Sequence, residues 1–383
     1  MYEPKIVFLT SGHSPFTPRL FHKELISLRK IFRDLTIIAP YDKLRDSVDG
    51  ISIYGVPKYK SRYNRWATLS ALYRKARELR PTVIHCHEPD SLLVSFLLKT
   101  RFPQVKVIYD CHEFHPQSFT EHFPNPFRNL IKILIEITEN YLVSRIEAVV
   151  TVNDRLVERF SKQNESITLL PNYPKKDIFR NERRKRTILS TDTVHLIYVG
   201  LVSSDRGVFR MVEVIRELEK SVDIKLTLIG KCSSESLKKE FIQKVNKFKL
   251  RKKIQYMGHL PHNETIEHLM NADIALFLVN NKERYHWGES TKYFEYSAAS
   301  LPIIISDLPA KRSLIEKNKN GILVNYDSVE EIVNAVQYLI KNKGEARMMG
   351  GRGRSFFESH YNWDAIESRL LTLYKNLTSV NRS

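Results

Sequence analysis

The chain has 383 residues, 42% of them hydrophobic, with 61 Lys and Arg against 43 Asp and Glu for a formal net charge of +18. That length suits two ordinary domains with sizeable cores, and no run approaches the roughly 20 apolar residues that a bilayer-spanning helix needs. The charge implies anionic partners: phosphates, nucleic acid or an acidic membrane surface. Three cysteines without metal-ligand spacing point to a reducing compartment, and thirteen histidines form no HExxH pattern. The N-terminus, MYEPKIVFLTSGH, enters a strand at once and shows no basic region followed by a long apolar one. No signal peptide is expected, and the chain reads as cytoplasmic.

Short apolar runs rich in β-branched residues recur at 6–9, 35–39, 82–86, 105–109, 148–152 and 167–170, and again at 195–199, 224–229, 254–257, 274–279, 303–305 and 322–324. Helical patterns separate most of them. This alternation predicts two doubly wound, Rossmann-like α/β domains with mostly parallel sheets. The polar stretch 174–192, with RNERRKR at 180–186, is the linker candidate, which places the domains at 1–178 and 193–361. Two such sheets facing each other would bring their strand carboxyl ends, where ligands bind, to a cleft.

Along the first domain, Gly12 follows the first strand and precedes a helix at about 20–30, a common device for phosphate approach but a weak signal alone. Between 58 and 80, eight Lys/Arg meet one acid, Glu78, with Tyr59, Tyr63, Trp66 and Tyr73 interleaved; this suits a solvated helix or a membrane interface. A strand ends in His85-Cys86-His87-Glu88. Two same-face histidines supply only two ligands, so no metal is expected. The next strand ends in Asp110-Cys111-His112-Glu113. In 129–146, Lys132, Glu136, Glu139 and Asn140 form one polar stripe, and the remaining broad apolar face is expected to pack in the core in preference to docking on a membrane.

In the second domain, Gly200 to Gly207 again reads as strand, glycine turn and helix start. Eight more Lys/Arg lie between 238 and 253 against Glu240. The stretch YHWGESTKYFEYSAASLPIIISD, 285–307, reads as loop, helix, turn and strand. Gly288 allows a tight turn, and Ser290 and Thr291 are good N-cap residues. Lys292 and Glu295, three apart, share the first helical turn with free N–H groups, an arrangement that suits a phosphate and ribose hydroxyls.

KYFEYSAASLPIIISD resembles the nucleotide-sugar-binding segment of the family-4, or group 1, retaining glycosyltransferases of the GT-B fold. The resemblance implies that Glu295 holds the donor ribose and that Gly288, Ser290, Thr291 and Lys292 hold the diphosphate. It extends over most of the chain. Residues 85–88 resemble the family's histidine-x-histidine-acid segment, which implicates His87, and 110–113 resemble its aspartate-x-histidine-glutamate segment, which assigns His112 and Glu113 to the reaction centre. The first loop carries over Gly12 and Arg19. Residues 200–207 resemble the region whose two basic residues clamp the diphosphate; Leu201 replaces the first, leaving Arg206, with Lys292 as a second charge. Gly258 and His259 match the backbone near the nucleotide base. Trp287 stands where many members carry a first glutamate, for which Glu289 is a substitute, and Ser300 replaces a usual glycine. A terminal helix, 362–383, is expected to cross back to the first domain.

The resemblance implies transfer of a sugar from a nucleoside diphosphate sugar to a glycan or lipid-linked acceptor, with retention and with no metal or other cofactor. Cell-surface polysaccharide synthesis is the expected setting. Reversible contact with the cytoplasmic membrane face through 58–80 is the accompanying expectation. Two alternatives stand beside it: a nucleotide-sugar epimerase of the same fold, with Glu88 or Glu113 in elimination chemistry, and a non-enzymatic nucleic-acid binder. The scatter of charge over both halves speaks against the latter, so nucleic acid is not an expected partner.

Overall fold

A computed structural model describes residues 3–58, 65–120, 125–179, 187–286, 288 and 290–379. The chain divides into two α/β units, Met1–Asn172 with Ile366–Ser383, and Tyr173–Ala365. Residues 174–179 and 187–192 of the linker candidate thus fall in the second unit; 180–186 lie outside the described residues, as do 59–64 of the basic aromatic stretch, Trp287 and Glu289.

The first unit is built on β1 (Ile6–Leu9), β2 (Leu35–Pro40), β3 (Arg45–Val48), β4 (Ile51–Val56), β5 (Val83–Cys86), β6 (Lys106–Cys111), β7 (Ala148–Thr151) and β8 (Ile167–Leu169). They form one sheet in the order β3-β4-β2-β1-β5-β6-β7-β8, parallel apart from the β3–β4 hairpin. β1, β2, β5 and β7 are buried along their whole length, as unbroken aliphatic runs in a sheet covered on both faces should be. The hairpin was not expected. Its first strand is polar and alternates exposed with half-buried residues, and it turns on Asp49 (φ 52°) and Gly50 (φ 73°).

The helix expected at 20–30 begins instead as a π-helix, Pro18–Leu25, and passes into the short α1 (Ile26–Leu28). α2 (Arg65–Leu79), α3 (Pro89–Arg101), α4 (His115–Thr120), α5 (Asn125–Val143) and α6 (Asp154–Phe160) follow. α5 corrects the core-packing expectation. Its Glu139 is buried, accepting from the Tyr109 hydroxyl at 2.6 Å and from Arg159 at 2.5 Å, while Leu130, Ile133, Leu134, Ile137 and Tyr141 are each at least half exposed. The buried polar anchor turns the apolar stripe outward.

The second unit is a six-stranded parallel sheet, β9 (Val194–Val199), β10 (Ile224–Ile229), β11 (Ile254–Gly258), β12 (Ile274–Phe277), β13 (Ile303–Ser306) and β14 (Gly321–Val324), in the order β11-β10-β9-β12-β13-β14. α7 (Val208–Leu218), α8 (Glu235–Lys247), α9 (His262–Asn271), α10 (Thr291–Ala298), α11 (Pro309–Asn318), α12 (Val329–Lys341) and α13 (Lys343–Ser359) accompany it. α7 and α12 close one face over a core that includes Met211, Ile215, Ile332 and Val336. α14 (Trp363–Ser379) starts in the second unit and belongs to the first from Ile366 onward. There Leu370 and Tyr374 are fully buried, and Lys30 pairs with Glu367 at 2.6 Å.

Candidate functional site

Strand order reverses between β1 and β5 in the first sheet and between β9 and β12 in the second. Loops leaving the carboxyl ends of those strands flank a switch point, where open α/β sheets bind ligands. Nearly all the residues singled out in the sequence lie on or beside such loops.

In the first unit, Glu88 leaves β5 and caps α3. Its carboxylate accepts from the Thr10 hydroxyl at 2.5 Å, the Ser11 amide at 3.1 Å and the Gly12 amide at 3.3 Å. The glycine loop after β1 therefore already holds an anion, the protein's own. The Gly12 residue itself is exposed.

A buried cluster stands beside it. Arg19, 4% exposed, grips Asp110 with two hydrogen bonds, at 2.9 and 3.1 Å, and donates to the Leu170 carbonyl at 2.8 Å. Its Nε is also 2.7 Å from Glu24. The π-helix explains that pairing, because its i to i+5 repeat brings Arg19 and Glu24 onto one side where an α-helix would splay them. The Nε2 atom of His112 lies 3.0 Å from Asp110 and 3.4 Å from Nδ1 of His87. His85 stacks on His87 with rings parallel at 4.9 Å, and its Nδ1 is 2.7 Å from the Tyr374 hydroxyl. Glu24 and Tyr374 were not singled out in the sequence.

The electrostatics of the cluster are set by burial. Burial holds His85 and His112 below the ordinary imidazole value and His87 well below it. Burial, with the charge of Asp110, raises the Glu24 carboxyl well above its usual range. Burial opposes ionisation of Asp110 too, yet Arg19 and His112 keep its carboxyl well below the usual range. At neutral pH the Arg19 guanidinium faces the Asp110 carboxylate among three neutral imidazoles, with the Glu24 carboxyl biased toward its protonated form. A carboxylate only accepts, so the His112 Nε2–H donates to Asp110 and Nδ1 is left as an acceptor. Of the three imidazoles, only that of His112 reaches solvent. Glu113 is exposed, and its carbonyl accepts from the His115 amide at 2.9 Å.

Glu24, His85, His87 and Asp110 offer ligand atoms within 4.8 Å of one another, and both Glu24 oxygens and the Nε2 atoms of His85 and His87 lack hydrogen-bond partners. These residues could hold a metal by type. The Arg19 guanidinium, however, sits within 2.9 Å of both carboxylates and supplies the charge that a cation would bring. The set fits a self-neutralised ion cluster better than a divalent site.

In the second unit, Gly200, Gly230 and Gly258 end β9, β10 and β11. The Gly200 amide donates to the Ile229 carbonyl at 2.8 Å and the Gly230 amide to the Gly258 carbonyl at 2.7 Å. A Cβ on Gly230 would lie 1.8 Å from the Gly200 carbonyl oxygen, so only glycine permits these turns to stack. Arg206 ends a short 3₁₀ turn, Ser204–Arg206, before α7. Its guanidinium lies 6.0 Å from the centre of the Tyr285 ring, and its buried Nε has no hydrogen-bond partner. Burial pushes the neighbouring Tyr198 hydroxyl up to about 12 despite Arg206, and that hydroxyl donates to the carbonyl of Leu201, whose side chain is exposed.

Ser290 caps α10, its hydroxyl accepting from the Lys292 amide at 3.4 Å, and Thr291 opens the helix. Lys292 and Glu295 pair at 3.1 Å in the first turn, with Glu295 buried. Tyr296 fixes the helix to β9 by accepting from the Val199 amide at 2.9 Å, and lies within electrostatic reach of both Glu295 and Arg206. Lys311 donates to the Gly288 carbonyl at 2.8 Å, holding the loop before the helix. His259 is exposed beside Gly258 (φ 69°).

Comparison with known proteins bears on the whole chain. Residues 179–356 match the family described as glycosyl transferases group 1, and residues 11–173 match glycosyltransferase family 4. The chain is 21% identical to glycogen synthase of Mycobacterium tuberculosis over 311 residues, covering 78% of this chain and 69% of that protein. It is 22% identical to TuaC of Bacillus subtilis, a putative teichuronic acid biosynthesis glycosyltransferase, over 83% of this chain and 78% of that one. Among solved structures, sucrose-phosphate synthase from Thermosynechococcus elongatus superposes with a TM-score of 0.77 at 14% identity over 99% of this chain and 100% of that one. Anabaena Alr3699/HepE in complex with UDP-glucose gives 0.71 at 14% identity over 98% and 100%. One Rossmann-like unit matched to the group 1 glycosyl transferases, the other matched to glycosyltransferase family 4, and solved neighbours of the same two-domain GT-B fold together identify the chain as a group 1 glycosyltransferase.

Proposed function

We propose that the protein transfers a sugar from a nucleoside diphosphate sugar to a glycan or lipid-linked acceptor, with retention at the anomeric carbon, in the synthesis of a cell-surface polysaccharide. The observation that carries this reading is the buried Nε of Arg206, a donor without a partner beside the Gly200 turn. A buried donor left unsatisfied is costly, and a diphosphate oxygen would satisfy it with a charge-assisted bond. Lys292 and the α10 N-terminus add positive charge, and Gly288, Ser290 and Thr291 frame the same helix start. Glu295 would accept ribose hydroxyls by exchanging its bond to Lys292. Gly200, Gly258 and His259 would line the base and phosphate side, with Glu289 a further candidate for the sugar.

As the bond from C1 to the diphosphate oxygen breaks, the developing negative charge would be stabilised by Arg206, Lys292 and the helix dipole. Nδ1 of neutral His112 would accept a hydrogen bond from the transferring sugar or the acceptor hydroxyl. Arg19 and His87 act in this reading by holding Asp110 and His112, while Gly12 and Glu113 remain candidates for acceptor contact. No metal is invoked. UDP and UDP-glucose bound to the HepE structures support a nucleotide-sugar donor. Among the described residues no helix is long and apolar enough to cross a membrane, so contact with a lipid-linked acceptor at the cytoplasmic face would be peripheral.

Release of nucleoside diphosphate from a panel of donors, with and without glycan acceptors, tests the reading. Release that rises with acceptor, together with a product of retained anomeric configuration, is expected. Interconversion or elimination of the donor sugar without acceptor would favour an epimerase instead.

A further inference from the structure

On α5 an apolar stripe faces outward while a carboxylate, that of Glu139, is buried. Leu130, Ile133, Leu134, Ile137 and Tyr141 recur at helical spacing and are 57, 50, 54, 60 and 52% exposed. The stripe is about 17 Å long at 1.5 Å per residue. Leu97 of α3, 47% exposed, and the contact of Phe96 with Tyr141, ring centroids 6.1 Å apart, extend it sideways. The helix cannot roll to hide these residues. Glu139 on the opposite face is buried and held by Tyr109 and Arg159, and rotation would strip that carboxylate of both partners.

We propose that this stripe is an interfacial membrane anchor, lying in the plane of an anionic lipid surface. Among the described residues, Asn129 and Thr138 on the helix and Ser144 and Arg145 just beyond it are also exposed, with Lys132 and Glu136 half-buried beside them. Arg145 packs its guanidinium 5.2 Å from the centre of the Tyr141 ring at the end of the stripe, a pairing suited to the headgroup layer. The chain as a whole carries +18, which complements an acidic leaflet. A second copy fits less well. A stripe one helix wide, about 10 Å, and about 17 Å long is far smaller than the about 800 Å² that each partner of a stable complex buries. The inference deepens the transferase reading by naming the surface at which a lipid-linked acceptor would be met, and rests on that reading only for the acceptor.

The test is co-sedimentation of the full chain with phosphatidylcholine vesicles, with and without phosphatidylglycerol, for the native sequence, for Ile133→Ser with Ile137→Ser, and for Ile133→Asp with Ile137→Asp. The native protein should pellet with phosphatidylglycerol-containing vesicles. The serine pair should weaken binding about tenfold or more, and the aspartate pair further. Thermal stabilisation by a donor nucleotide sugar should be unchanged in both, which separates failure of the surface from failure of the transferase reading. Equal pelleting of all three proteins, or no pelleting of the native one, would overturn the proposal. So would a native dimer in sedimentation velocity that the serine pair dissolves, since a second copy would then be the occupant.

Discussion

The two units place polar groups at their strand carboxyl ends in opposite states. In the first, the charged groups are largely spent on one another: Glu88 fills the amides of the Gly12 loop, Arg19 grips Asp110, and Asp110 holds His112, although both Glu24 oxygens and the Nε2 atoms of His85 and His87 lack hydrogen-bond partners. In the second, Arg206 keeps a buried donor without a partner, and Lys292 has Glu295 beside it in the same helical turn. The first arrangement builds a rigid, preorganised histidine. In the proposed reading an anion completes the second. Sites of the same topology can therefore differ in whether their electrostatics stabilise the fold or await a ligand, and substitutions should separate the two.

The largest effect is expected at Asp110. Asp110→Ala leaves the buried Arg19 charge uncompensated, which should cost about 3–5 kcal/mol of stability in chemical denaturation. An unchanged midpoint would mean that water or Glu24 replaces the carboxylate freely. Arg206→Ala should behave in the opposite sense. Turnover should fall about 10²–10³-fold, as when one donor to developing charge is removed, while unfolding of the ligand-free protein is unaltered; full activity would place the diphosphate elsewhere. Glu295→Ala should weaken donor binding by about 1.5–3 kcal/mol, the worth of a hydrogen bond to a charged group, measured by titration calorimetry. Unchanged donor affinity would remove Glu295 from the ribose.

The smallest effect is in pH dependence. His85, His87 and His112 are buried neutral with depressed values, so below pH 6.5 the unfolded chain takes up protons that the native cluster refuses. Their contribution is present above pH 6.5 and is lost as pH falls through the native values. Glu24 acts inversely: its raised value gives stability that is present below pH 4.5 and lost as pH rises through the native value. The acid limb of kcat/KM assigned to His112 should accordingly lie below pH 6.5. An acid limb above 6.5 would show that the imidazole is charged in the resting cluster.

Much of this organisation is legible in the chain, and the misses have physical causes. The buried strands are readable because a parallel sheet covered on both faces demands unbroken runs such as Ile303–Ser306. The β3–β4 hairpin escaped a search for apolar runs, although Asp49-Gly50 is a hairpin signal in its own right. Glu24 escaped because a pattern with a repeat of 3.6 residues does not pair positions five apart. Lys292 and Glu295 could be singled out because loop-to-helix junctions after strands are written locally, and Arg206 because 200–207 resemble the family's diphosphate-clamping region. The direction of the α5 stripe could not be read, since periodicity gives a face but not which way it points. That depended on Glu139 meeting Tyr109 and Arg159, contacts 30 and 20 residues away in sequence.

The most direct test of the second site is thermal unfolding with a panel of nucleoside diphosphate sugars, run on the native chain and on Arg206→Ala. At least one donor at 100 times its dissociation constant should stabilise the native protein by about 2.7 kcal/mol, and the same concentration should stabilise Arg206→Ala far less. Stabilisation of both proteins to the same extent, or of neither by any donor, would contradict the assignment of Arg206 to the diphosphate.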